Sequence, residues 1–201
     1  MTPVLLIGLW AAHPTMKVGI VLVDSIDSEY GDIVAEGFDH YDCYFDAEVL
    51  PIRFSTIDVT FLDGFYLISD FFRYGEPKEL QKEYNVDIIL YITGHQINNW
   101  DEGGGGFWGE ADPETRSSVM TVIVFNSMSE RDNRILHHIA LHETFHLLGY
   151  THNQQDRTGI MQYDTNIEVL DLVPFYQVQL PSRTVGFFLF PYAEFGFARL
   201  L

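Results

Sequence analysis

The chain has 201 residues, 47% of them hydrophobic and 15% aromatic. That is enough apolar material for one sizeable core and too little length for two independent domains, so a single domain over residues 1–201 is expected. A formal charge of −18, from 29 acidic against 11 basic residues, argues against polyanionic partners, both nucleic acid and anionic membrane; a saline or acidic habitat and attraction of neutral or basic substrates explain it equally, so it excludes partners without identifying a ligand.

Residues 1–12 are mostly apolar, yet no basic residue precedes the run and it is too short to span a bilayer. Neither a signal peptide nor a transmembrane helix is expected, Met16 is an alternative start of translation, and a cytoplasmic monomer is the expectation, with secretion left open. Residues 17–24 read as a strand, 28–39 as a helix and 44–52 as a second strand, an α/β opening. Residues 60–74 carry apolar side chains at helical spacing, and Pro77 suits the first turn of a short helix through Glu83. The run 86–93 reads as a buried strand, so the sheet should be mixed and mostly parallel. Residues 100–106 hold an acidic pair and four glycines with no Lys-Ser/Thr after them, a mobile or closely packed loop rather than a phosphate cradle. Ser129-Glu130-Arg131-Asp132 is a capping box that opens another helix. Cys43 is the only cysteine, which excludes an internal disulfide and leaves a semi-buried thiol.

The helix begun at Ser129 runs into His142-Glu143-Thr144-Phe145-His146-Leu147-Leu148-Gly149-Tyr150-Thr151-His152. Residues four apart on a helix project from one face, so the rings of His142 and His146 can share one metal ion, and Glu143 lies beside it. A continuous helix would carry His152 away from that ion. Gly149 supplies the left-handed turn that brings it back. Three histidines leave a fourth coordination position for water, as catalytic rather than structural zinc sites do.

This spacing resembles H-E-x-x-H-x-x-G-x-x-H, the signature of the metzincin clan of zinc metallopeptidases. The resemblance implies one Zn2+ per chain bound by His142, His146 and His152, with Glu143 activating a zinc-bound water. It also implies a methionine turn, for which Met161, nine residues after His152, is the candidate. Tyr163 resembles the tyrosine that some metzincins use as an extra zinc ligand; a tyrosine packed with its hydroxyl exposed is the other reading. Within the clan the chain is most similar to the archaemetzincins, over roughly residues 17–165, through its α/β opening, the segment Phe107-Trp108-Gly109-Glu110-Ala111 and the apolar strand after it. That family carries cysteines after the third histidine for a second zinc. Here Asn153 follows His152 and no cysteine lies downstream, so a second zinc is not expected.

The implied architecture is an α/β (α+β), metzincin-like fold: a twisted, mostly parallel sheet with an antiparallel edge strand, an active-site helix, and a smaller C-terminal subdomain below the cleft. The upper subdomain would span about 17–149 and the lower about 150–201, leaving no room for a large pro-domain. Phe107 to Ala111 is the expected edge strand, able to pair with an extended peptide by β-addition or simply shielded by Glu110 and Asp112. His13, His40, His95, His137 and His138 are read as surface histidines, His138 also as a neighbour of the ligand set. Asp156 and Asp164 are solvated acids or partners of the ligand histidines. The aromatic tail 186–197 is expected to dock on the core. The implied activity is hydrolysis of peptide or protein substrates, the alternatives being a catalytically weak zinc-containing peptide-binding module and a small-amide hydrolase.

Overall fold

A computed structural model describes residues 16–24, 26–39, 45–50, 59–62, 64–98, 106–123, 129–152 and 161. The expectations for residues 1–15, His40, Cys43, Asn153, Asp156, Tyr163, Asp164 and the aromatic tail lie outside the described residues, as does most of the expected lower subdomain.

Five strands form the main sheet in the order β2-β1-β5-β9-β8. β1 (Met16–Leu22), β2 (Phe45–Leu50), β5 (Ile88–Thr93) and β9 (Ser117–Thr121) pair in parallel, and β8 (Gly109–Asp112) closes one edge antiparallel to β9. The sheet is therefore mixed and mostly parallel, with the expected antiparallel edge. Strands buried on both faces need apolar side chains at every position, which is why β1 and β5 read as continuous runs. Alternate residues serve opposite layers. Val18, Ile20 and Leu22 pack with Ile33, Val34 and Phe38 of α1 (Glu29–Asp39) and with Ile135, Leu136 and Phe145 of α4 (Glu130–Leu147). Val21 and Val23 pack with Ile68 and Phe71 of α2 (Ile68–Arg73) and Leu80 of α3 (Pro77–Tyr84).

A second sheet, of order β3-β4-β6-β7, was not anticipated and accounts for two departures from the sequence reading. Residues 60–74 are not one helix. β3 (Phe61–Leu62) and β4 (Phe65–Leu67) form an antiparallel hairpin, Gly64 at φ 88° lies in its turn, and only Ile68–Arg73 is helical. The carboxylate of Asp70 accepts the backbone N–H of Thr60 at 2.8 Å, which holds the strand entry against the helix. The expected edge strand is also divided. Gly106–Phe107 is β7 and pairs with β6 (Gln96–Asn98) of the second sheet, whereas Gly109 onward belongs to the main sheet and Trp108 stands between them.

Hydrogen bonds at the ends of the parallel strands tie these parts together. Asp24, at φ 62° just after β1, accepts the Tyr66 hydroxyl at 2.6 Å and the Thr93 hydroxyl at 2.9 Å, joining β1 to β4 and β5. The Thr121 hydroxyl donates to the His95 carbonyl at 2.7 Å, and its backbone N–H donates to the Trp108 carbonyl at 2.9 Å. The start of β8 is thus fastened to the end of β9. His95 keeps its side chain 43% exposed, in line with the surface reading.

Candidate metal centre

α4 supplies most of the site, and its sequence fixes both ends. The Ser129 side chain accepts the Asp132 backbone N–H at 3.2 Å while the Asp132 carboxylate accepts the Ser129 N–H at 3.3 Å, a complete capping box. Glu130 and Asp132 in the first turn also suit the positive end of the helix dipole. With no glycine or proline inside, the helix runs unbroken to Leu147.

The other end is closed by backbone. Leu148 caps the helix and Gly149 takes φ 85°. The Gly149 N–H reaches the His146 carbonyl at 2.9 Å and the Tyr150 N–H reaches the Phe145 carbonyl at 3.1 Å, the two bonds of a Schellman motif. The apolar contact that accompanies this motif is present, with the Tyr150 and Phe145 rings edge to face at 5.5 Å. This turn redirects the chain so that His152 faces back toward the helix. The Nε2 atoms of His142, His146 and His152 then form a triangle with sides of 3.2, 3.1 and 3.1 Å.

Protons alone cannot satisfy that triangle. Each neutral imidazole Nε2 is either a donor or an acceptor, and three mutual contacts always pair two atoms of the same kind. The His146 Nδ1 donates to the Tyr150 carbonyl at 2.9 Å, which leaves the Nε2 of the neutral ring with its lone pair. Burial lowers the affinity of His146 and His152 for protons, and the His146 charge lowers that of His152 further. Such a convergence of ring nitrogens suits a shared cation, and among the described residues these three form the one group able to hold a metal ion. Their exposure is graded from buried His142 through His146 to exposed His152, so the group opens to solvent on one side.

Glu143 is buried and lies against the edge strand. A methyl group built on Gly109 would meet its Cγ at 2.6 Å and its Oε1 at 2.5 Å. Burial, and after it the charge of Glu110, pushes the Glu143 carboxyl well above the usual carboxylate range. Met161 is also buried and joins the core cluster that contains Phe145, Leu147 and Leu148.

Two histidines depart from the surface reading. His137 and His138 are 6% and 2% exposed, because α4 is covered by α1 as well as by β8 and β9. His137 packs on Gly37 of α1, and the His138 ring stacks on His142 with centroids 6.1 Å apart. Burial pulls the pKa of His138 down to about 4. Sequence reasoning did not identify the Tyr150 carbonyl as the partner of His146 or Gly109 as the floor under Glu143. The first was accessible in principle, because the residue after a helix-ending glycine has a fixed place in a Schellman turn; the second depends on tertiary packing.

No protein-family model and no curated protein matches the chain. Solved structures do. Archaemetzincin from Archaeoglobus fulgidus, solved with malonate, superposes with a TM-score of 0.63 at 20% identity, over 80% of this chain and 94% of that one. Archaemetzincin from Methanopyrus kandleri gives 0.60 at 18% identity, over 78% and 86%. A zinc-dependent peptidase from Methanocorpusculum labreanum gives 0.54 at 16% identity, over 79% and 94%. Together with the mixed five-stranded sheet and the three-histidine group at the end of α4, these likenesses show that the chain has the archaemetzincin fold.

Proposed function

We propose that the chain is a metzincin-type zinc peptidase whose metal is held by His142, His146 and His152 and whose general base is Glu143. The observation that carries this reading is the Nε2 triangle with a buried glutamate next in sequence to its first member. Nitrogen ligands of a tetrahedral zinc, at about 2.0–2.1 Å from the metal, stand about 3.3 Å apart, close to the 3.1–3.2 Å found here. The description of one similar structure as a zinc-dependent peptidase supports the same metal and reaction. Bound zinc supplies Lewis-acid polarisation and acidifies water.

The chain's own residues do the rest. A Glu143 carboxyl held above its usual range by burial and by Glu110 is a stronger base than a free glutamate. Its carboxylate takes the proton of the attacking water and returns it to the nitrogen of the departing amine. β8 is the last strand of the main sheet, and pairs only with β9 among the described residues. Its outer edge suits an extended peptide added as a further strand, which makes peptides or proteins the substrates.

The test is digestion of an unstructured peptide mixture by wild type and Glu143→Ala, with zinc measured in both. General acid–base catalysis contributes about 10²- to 10⁴-fold. The variant should retain zinc and lose that much turnover. Zinc without cleavage in wild type would instead indicate a peptide-binding module.

A further inference from the structure

We infer that Gly109 is a positioning residue: the missing side chain on the first residue of β8 is the notch that seats the Glu143 carboxylate. This rests on the assignment of Glu143 as the base. The three atoms that a Cβ at Gly109 would meet most closely are Oε1 at 2.5 Å, Cγ at 2.6 Å and Cδ at 2.8 Å, all from the Glu143 side chain. Contacts under 3.0 Å cannot persist, so something must move.

The strand is not free to yield. Gly109 is paired with Met120, and the preceding carbonyl, of Trp108, is held by the Thr121 N–H at 2.9 Å. Thr121 is itself tied through its hydroxyl to the His95 carbonyl at 2.7 Å. Nor is the helix free, because Leu136, Ala140, Leu141 and Phe145 anchor α4 in the main core. The one flexible element at the contact is the glutamate side chain, which must swing out of its place. Any side chain at 109 therefore separates the carboxylate from its position while leaving the histidine triangle and the sheet intact.

The experiment is a double-mutant cycle on the zinc-loaded full chain: wild type, Gly109→Ala, Glu143→Ala and the combination. Thermal midpoint, zinc content, affinity for acetohydroxamate, and kcat and KM on a cleaved peptide are measured for each. Gly109→Ala is expected to lower kcat about 10²-fold, the lower end of what a general base contributes, with KM within about twofold and zinc unchanged. It should weaken acetohydroxamate, whose proton a seated glutamate accepts, by about tenfold. In the Glu143→Ala background, where the three clashing atoms are absent, Gly109→Ala should change none of these quantities. If Gly109→Ala alone does not fold, the combined variant should. Equal losses in both backgrounds, or a loss confined to KM, would overturn the inference and assign Gly109 to the strand or to substrate pairing. A wild type that cleaves no peptide would contradict the peptidase reading, while the stability and acetohydroxamate cycles would still decide the role of Gly109.

Discussion

The two ends of α4 are finished by different devices, and the difference separates stability from function. At the N-terminus two side chains, Ser129 and Asp132, satisfy each other's backbone donors, far along the helix from the three histidines. At the C-terminus the closing hydrogen bonds are all made by backbone, around the positive φ of Gly149, and they have two further consequences. They present the Tyr150 carbonyl to His146 Nδ1, and they turn the chain so that His152 completes the triangle. A cap distant from the histidines is replaceable; a cap that also orients two of the three histidines able to hold a metal is not.

The largest effect should come from the triangle itself. His146→Ala removes one of the three proposed ligands and should abolish stoichiometric zinc binding and all hydrolysis, checked by metal analysis after dialysis against a weak chelator. Chelation of the wild type should do the same, reversed by added zinc.

Midway along the helix, His138 should make stability depend on pH. Its pKa in the folded chain is about 4 against an ordinary 6.5, so as pH falls the unfolded chain takes the proton first. Stability should then fall between pH 6.5 and 4, by up to about 3 kcal/mol. The difference in urea midpoint between the zinc-free chain and His138→Phe, which cannot titrate, should be constant near neutral pH and shift against the wild type below pH 6.5; parallel curves would contradict the buried neutral ring.

Gly149→Ala places a side chain where φ is positive, costing about 1 kcal/mol of folding stability. Because the turn also aims His146 and His152, zinc affinity should fall with it, about tenfold in a competitive titration. Ser129→Ala should lose a similar or smaller amount, about 1 kcal/mol, through the lost cap, and leave zinc affinity unchanged. If both variants weaken zinc equally, the contrast between the two ends fails.

What could be read from the sequence was what is encoded locally. The capping box, the i,i+4 histidines, the glycine after the helix and the buried parallel strands each need only neighbours in the chain. Residues 60–74 defeated that approach because phenylalanines, tyrosine and leucines spaced for a helix also suit a short hairpin, and pairing with β6 decides between them. The burial of His137 and His138 was likewise invisible. A helix packed on two sides buries 12 of its 18 residues, and the polar character of a histidine then no longer marks the solvent face. The segment from Phe107 to Ala111 looked like one strand, whereas the two sheets divide it at Trp108. Gly109 under Glu143 depends on how β8 meets α4, and no periodicity encodes it.

X-ray absorption at the zinc edge, with metal stoichiometry, on the purified full chain tests the three-histidine centre most directly. One zinc per chain with about three imidazole nitrogens at roughly 2.0–2.1 Å is expected, and loss of one imidazole in His152→Ala. Absence of zinc, or a first shell unchanged by His152→Ala, would contradict that centre.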